Sequence, residues 1–324
     1  MKNIAIVCGG NSGEYEISVK SAAVVARHLN KEKYKGFLVV VKGENWFWED
    51  ENGQRHYINK DDFSLKTGNT VIKFDGVFNA IHGTPGEDGK LQGYLDMLGI
   101  PYTSCNTTTA ALSFDKFLCN RFINSYGIQT PKALSFLKGE AINNKDIVET
   151  LGLPLFVKPA QSGSSVGVTK VTKTEELKTA INEAWSVDER VIIEQAIVGR
   201  EIACGMIKKG NELLVFPLTE IVSKKDFFDY EAKYTAGMAN EITPADISLE
   251  AETDIKTLSA FLYKQMNCKG FVRFDYILTP ENLYFLEVNS VPGITEASIL
   301  PQQAKAFGLS IGELFDIAVE QMFL

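Results

Sequence analysis

Histidine, tryptophan and cysteine are scarce in this 324-residue chain, with three, three and five copies. No C-x-x-C pair and no His-rich spacing occurs, which argues against a soft-ligand metal site. The cysteines, Cys8, Cys105, Cys119, Cys204 and Cys268, are odd in number and far apart, which points to reduced thiols rather than a disulfide framework. Positive charge is also in deficit. The 33 Lys and Arg against 41 Asp and Glu leave a net −8, which disfavours bulk binding of nucleic acid. An anionic substrate must then be met by local cations and backbone N–H groups. No apolar run approaches the ~20 residues of a membrane span, so no membrane partner is expected. The opening MKNIAIVCGG breaks at Gly9-Gly10 after too few apolar residues for a leader, and is expected to form a first β-strand. With no repeat, low-complexity tract or flexible linker, a cytoplasmic protein of compactly joined lobes is expected.

What is present reads as globular. The chain is 45% apolar and 23% charged, and is too long for one simple core. Apolar residues 4–8 predict a buried parallel strand, followed by a helix carrying Val19, Val24, Val25 and Leu29. Strands follow at 37–41 and 77–81, with a hairpin-bearing insertion at 49–69 around Asn52-Gly53. A short helix at 91–98 ends at Gly99. This gives an N-terminal open parallel α/β domain over 1–104. Beyond it the texture becomes α+β, with mainly antiparallel sheets. The spacing predicts a helix over 113–126, strands at 155–158, 166–171 and 191–194, and a helix over 175–185. The last third predicts strands at 201–207 and 213–218, a polar loop at 223–240, a helix over 250–265, a hairpin at 271–289, and a closing helix after Ser310. The lobes are expected to divide at 105–193 and 194–324.

The hairpin GFVRFDYILTPENLYFLEVN carries the strongest chemical signal. Period-two alternation sets Arg273 and Asp275 on one face of its first strand. On the second strand it sets Phe285, Glu287 and Asn289 on a common face. If the register matches, Asp275, Glu287 and Asn289 converge as oxygen ligands beside one guanidinium, a set suited to Mg²⁺ shared with nucleotide phosphates. A solvated face with an Arg–carboxylate pair is the plainer alternative.

The segment KPAQSGSSVGV, residues 158–168, offers backbone N–H groups and hydroxyls to a phosphate, with Lys158 as a cation at a strand end. It lacks G-x-x-x-x-G-K-[ST], so it is not a Walker loop. His82 opens a Gly-rich loop after a buried strand, the end of an open sheet where ligands bind, although a lone histidine also serves simply to hold a loop. The turn Gly9-Gly10-Asn11-Ser12-Gly13 is not G-x-G-x-x-G, which opposes a nicotinamide-dependent dehydrogenase. Glu14 beside it reads either as a partner for a substrate ammonium or as a first-turn helix acid. Glu194 closes an apolar strand shortly before Glu201, a plausible adenosine slot. In the 223–240 loop, two tyrosines around Lys233 suggest a lid.

Taken in order, GGNSGEYEIS (9–18), HGTPGEDGKLQG (82–93), SFDK (113–116), VKPAQSGSSVG (157–167), DYEAKY (229–234), RFD (273–275) and EVNSVPGITEAS (287–298) resemble the D-alanine–D-alanine ligases of the ATP-grasp superfamily over nearly the whole chain. The resemblance implies an ATP-grasp fold, ATP and Mg²⁺ (or Mn²⁺) as cofactors, and D-alanine as substrate. It further implies a homodimer and a role in peptidoglycan precursor synthesis. Lys116 and Lys158 are similar to the family's phosphate lysines, with Ser165, Ala196, Ile197, Glu194 and Glu201 along the nucleotide. Asp275, Glu287 and Asn289 match the metal ligands. Glu14 and His82 match contacts to the first D-alanine, and Ser164 and Tyr234 match a network that closes the loops with Glu14. Arg273 and the Gly293 N–H match the oxyanion donors, Lys233 the residue steadying the transferred phosphoryl group, and Ser298 and Ile299 the seat of the second D-alanine's carboxylate. A D-lactate or D-serine second substrate is the alternative. Tyr234 favours D-alanine over D-lactate, because a phenol adds no positive charge to repel an incoming ammonium. A nucleotide-binding module without turnover is opposed by the intact set Lys116, Lys158, Asp275, Glu287 and Asn289.

Overall fold

The computed structural model describes residues 1–163, 165–223 and 239–324. Ile4, Ala5, Ile6 and Val7 are wholly buried because β1 (Lys2–Gly9) lies between two parallel neighbours, β2 (Tyr34–Lys42) and β7 (Gly76–Asn79), and is covered on both faces. Ile4 and Ile6 pack with Val24 and Val25 of α1 (Tyr15–His28), whereas Ala5 and Val7 pack with Leu91 and Leu95 of α2 (Lys90–Leu98). Gly99 caps α2 at φ 66°, the left-handed conformation that ends helices cheaply only at glycine.

The expected insertion is larger than one hairpin. β3 (Asn45–Glu49), β4 (Arg55–Asn59), β5 (Ser64–Thr67) and β6 (Thr70–Ile72) add antiparallel strands at the β2 edge. The sheet is therefore mixed, with the order β6-β5-β4-β3-β2-β1-β7, and its parallel part is three strands wide.

The helix expected over 113–126 starts in the last two residues of α3 (Thr107–Phe114), most of which was not expected, and after a break continues as α4 (Lys116–Asn124). Asp115 between them is extended, and its carboxylate accepts from the Leu118 N–H at 3.0 Å as the cap of α4. A four-stranded antiparallel sheet follows, ordered β10-β9-β11-β8, from β8 (Ala133–Leu137), β9 (Leu155–Pro159), β10 (Thr169–Val171) and β11 (Arg190–Gln195). Ile147 and Leu151 of α5 (Asn144–Leu151) and Leu177, Ala180 and Ile181 of α6 (Leu177–Trp185) pack on Val157, Val191 and Ile193. The strand expected over 166–171 begins only at Thr169, which leaves the described residues 160–163 and 165–168 outside the strands beside β9.

The third sheet is antiparallel and contains β12 (Arg200–Lys209), β13 (Glu212–Val215), β14 (Thr219–Ser223), β15 (Ala239–Ile242), β16 (Phe271–Leu278) and β17 (Leu283–Asn289). The strand expected over 213–218 stops at Val215, and the chain re-enters the sheet as β14. Helix α7 (Leu249–Gln265) covers it, burying Ile255 and Leu262 against Val272, Phe274 and Tyr276. Two helices close the chain, α8 (Ile299–Phe307) and α9 (Ile311–Gln321), the latter opened by a capping box between Ser310 and Glu313. Phe315, Ala318 and Val319 of α9 join Ile4, Ile6 and Phe78 in one core, so the last helix seals a face of the first sheet. Among the described residues no helix is long and apolar enough to cross a membrane.

Candidate active site

The condition on the hairpin's register is met. Arg273 on β16 stands opposite Asn289 on β17, and Asp275 opposite Glu287. Asp275 is 1% exposed, and its carboxylate takes a forked pair of hydrogen bonds from Arg273, Nε to Oδ1 and Nη2 to Oδ2, both at 2.8 Å. The Asn289 Nδ2 donates to Asp275 Oδ2 at 3.0 Å. Burial alone would lower the Arg273 pKa, but Asp275 and Glu287 raise it, so the cation is secure. Phe285 departs from the expected common face. A register shift after Asp275 pairs Tyr276 with Phe285, and Phe285 sinks into the core with Val272 and Phe274. The bulge breaks the period of two, so Phe285 and Glu287 face opposite ways.

A second cluster joins the central sheet to α4. Lys158 on β9 and Glu194 on β11 form a buried ion pair at 2.5 Å. Asn120 Nδ2 donates to the other oxygen of Glu194 at 3.2 Å. Lys116, the first residue of α4, donates from Nζ to the Ser162 carbonyl in the 160–168 loop. Ser165 in that loop has φ 59°, an unusual conformation outside glycine. Past Glu194, the Ala196 N–H is taken by the Pro154 carbonyl at 3.1 Å, and Ala196 and Ile197 are half-buried at the strand end. Glu201 lies on β12 opposite Ile277, near enough to Arg273 to help hold its charge.

The loops after β1 and β7 form the third cluster. The Ser12 hydroxyl donates to the His82 carbonyl at 2.9 Å and accepts from the Glu14 N–H at 3.2 Å. Glu14 is 8% exposed and faces the 160–168 loop so closely that a Cβ on Gly163 would meet its Oε2 at 2.1 Å. Only glycine permits that approach. His82 is buried, with Nε2 3.0 Å from Ser21 Oγ and Nδ1 3.1 Å from the Val291 carbonyl. Burial lowers its pKa; Glu14 opposes this and Arg273 reinforces it. A few residues on, Gly293 lies against Ser298, whose Oγ would be 2.9 Å from a Cβ there. The Ser298 hydroxyl is itself engaged by Thr295, and Ser298 caps α8 while Ile299 is its first residue.

The structure brings the residues expected from sequence into three clusters, linked where Glu14 faces Gly163 and where His82 faces the Val291 carbonyl, whereas Ser164, Lys233, Tyr234 and the rest of 224–238 lie outside the described residues. The chain matches family models described as D-ala D-ala ligase N-terminus over residues 3–105 and D-ala D-ala ligase C-terminus over residues 122–320. It is 42% identical over 323 residues to a D-alanine–D-alanine ligase of Bacteroides fragilis, covering 99% of both chains. The chain belongs to the D-alanine–D-alanine ligase family. A family relative from Flavobacterium johnsoniae is 45% identical over 320 residues, again covering 99% of each chain. Among solved structures, D-alanyl-alanine synthetase A of Vibrio cholerae superposes with a TM-score of 0.90 at 29% identity, over 100% of this chain and 99% of that one. The VanG D-Ala:D-Ser ligase of Enterococcus faecalis gives 0.87 at 34% identity, covering 99% of both. The fold is accordingly the ATP-grasp arrangement of the family.

Several residues of this family member escape sequence reasoning. Asn120 gives no signal, being one amide on a helix. Glu87 was visible only as part of a motif. The Gly83 N–H donates to its Oε2 at 2.7 Å, and the Val291 N–H also reaches its carboxyl. Burial of that carboxyl, with Glu14 nearby, pushes its pKa up to about 8.

Proposed function

We propose that this protein joins two D-alanine molecules into D-alanyl-D-alanine, converting ATP to ADP and phosphate. The observation that carries the reading is the cross-strand set Asp275, Glu287 and Asn289 beside Arg273, on a chain that matches this ligase family over nearly its whole length. One D-alanine carboxylate attacks the γ-phosphorus of ATP, the bond to the β-phosphate oxygen breaks, and D-alanyl phosphate forms. The amine of the second D-alanine, having lost its ammonium proton, attacks the acyl carbon. The bond to phosphate then breaks and the dipeptide leaves. Such chemistry needs positioning and charge neutralisation more than covalent help from the protein.

The roles follow from the donor groups. Asp275, Glu287 and Asn289 are hard oxygen donors and would hold Mg²⁺, or Mn²⁺, which offsets triphosphate charge when bound. Among the described residues no group of three His, Cys, Asp or Glu is gathered for a metal, so the proposed set consists of two carboxylates and the Asn289 amide oxygen. Lys116 and Lys158 meet phosphate oxygens with Ser165, and Glu194, Ala196, Ile197 and Glu201 line the nucleoside. Glu14 and His82 stand at the first D-alanine. Arg273 and the Gly293 N–H stabilise the oxyanion. Ser298 and Ile299 open a nine-residue helix, whose first N–H groups have no partner within the helix and suit a carboxylate. Roles for Ser164, Lys233 and Tyr234 in closing and phosphoryl transfer rest on the resemblance alone.

A D-serine second substrate is the second reading, favoured by the likeness to the D-Ala:D-Ser ligase. Phosphate release from ATP, measured with D-alanine alone and with D-serine or D-lactate added, decides between them. We expect release to require D-alanine and the dipeptide to dominate mixed products; release indifferent to D-alanine would overturn the ligase reading. We also propose a cytoplasmic homodimer supplying peptidoglycan precursors. Three lobes are proposed: 1–104, 105–193 and 194–324. A monomer in sedimentation would remove the dimer.

A further inference from the structure

His82 spends both ring nitrogens on the protein. Its Nδ1 faces the Val291 carbonyl oxygen, which can only accept, so Nδ1 carries the hydrogen. Its Nε2 faces Ser21 Oγ at 3.0 Å. A neutral ring has one N–H, and that one is committed to Val291, so the Ser21 hydroxyl must donate to the Nε2 lone pair. Burial is the largest influence on the ring and, with Arg273, disfavours the imidazolium, against Glu14 and the Val291 carbonyl. Ser21 lies on α1 and is wholly buried. The same peptide region is held from its other side, since the Val291 N–H reaches the Glu87 carboxyl.

We propose that Ser21 is a positioning residue of the ligation, acting through His82 to fix the 291–293 loop and the Gly293 N–H against the N-terminal loops. The relay runs from Ser21 O–H to His82 Nε2 and from His82 Nδ1–H to the Val291 carbonyl, and it crosses from the first sheet to the segment that follows β17. An O–H rotor can serve as donor or acceptor, but the carbonyl at the far end permits one direction only. It follows that His82 takes no substrate proton while the relay is intact, because its lone pair is occupied. The loop bears on the oxyanion, which exists late in the reaction, so loosening it lowers kcat more than it raises KM.

The kinetic arm rests on the ligase reading; the spectroscopic arm does not. The chain has three histidines, His28, His56 and His82, so nitrogen NMR of ¹⁵N-histidine-labelled protein can be assigned by single substitutions. We expect His82 to appear as a single Nδ1–H tautomer without titration between pH 6 and 8. An Nε2–H tautomer, or ordinary titration, would overturn the relay whatever the enzyme makes. Ser21→Ala should lower kcat on the order of tenfold, as loss of a buried hydrogen bond allows. KM for ATP should stay within about twofold, because the relay does not touch the nucleotide. The His82 resonances should shift or begin to titrate. Ser21→Thr keeps the hydroxyl and should recover most of kcat. If Ser21 only packs, Ser21→Ala will be active and the larger Ser21→Thr the worse of the two, which overturns the proposal. If wild type shows no D-alanine-dependent turnover, the ligase reading falls and the spectrum still judges the relay.

Discussion

The β16–β17 hairpin and the loop after β7 both bring ionisable groups out of water, yet they treat charge in opposite ways. On the hairpin, Asp275 and Arg273 are held as a forked ion pair, with Asn289 filling a further lone pair. In the loop, burial drives His82 and Glu87 toward their neutral forms, and their hydrogen bonds go to backbone groups and, for His82, also to the Ser21 hydroxyl. Buried charge is tolerated only when paired and hydrogen-bonded, whereas a neutral group can serve as a strut at lower cost. On the proposed reading, the hairpin's paired charges meet an incoming cation and polyphosphate. The loop is equipped to hold geometry. Removing a charge should therefore be severe on the hairpin and mild in the loop.

The largest effect should come from the hairpin. Asp275→Asn combined with Glu287→Gln should cut D-alanine-dependent phosphate release at least ~100-fold, since metal charge stabilisation contributes several kcal/mol to such transition states. Circular dichroism should report an intact fold. Near-normal turnover in the folded double variant would mean that the face is an ordinary ion-paired surface.

The central sheet tests the same idea on a second charged pair. Lys158 and Glu194 are both buried, so Lys158→Met leaves an uncompensated acid beside Asn120. Unfolding free energy should fall by about 3 kcal/mol, and Lys158→Met with Glu194→Leu should regain part of it, because two charges replaced together leave none unpaired. ATP affinity should weaken in both variants. Denaturant melts with nucleotide titrations give the measurement, and a double variant no more stable than the single one would count against a true buried pair.

These contrasts also explain what could be read beforehand. Strand alternation exposed Arg273 and Asp275 because the period of two holds along β16, and the Thr279–Asn282 turn set the register. Phe285 escaped because a bulge is a single extra residue with no sequence mark of its own. Helix α8 carries little sequence signal, since it is short and has Pro301 in its first turn, a position that tolerates proline. The split at Asp115 was hidden by apolar spacing continuous across α3 and α4, though aspartate is a good helix cap. Ser21, Asn120 and Glu87 act across large sequence separations, 61 residues for Ser21 and His82 and 74 for Asn120 and Glu194. No local pattern encodes such pairings; the packing of whole sheets creates them.

The smallest expected effect lies in the loop, and it concerns pH rather than rate. Glu87 has its carboxyl pushed up to about 8 from an ordinary value of 4.5 by burial and by Glu14. Between those two values the folded protein holds a proton that the unfolded chain has released. Stability from this group is therefore complete below the ordinary value and declines as pH rises, until the folded carboxyl has itself ionised. Glu87→Gln keeps an oxygen that can accept from the Gly83 and Val291 N–H groups but removes the titration. Its melting temperature should consequently fall less than that of wild type between pH 6 and 9, by a margin on the order of a few degrees. Because a neutral strut is replaced by another neutral strut, turnover at pH 7 should stay within about threefold. Parallel melting curves for the two proteins would show that Glu87 ionises normally. The loop would then be a charged region like the hairpin, and the contrast between the two would collapse.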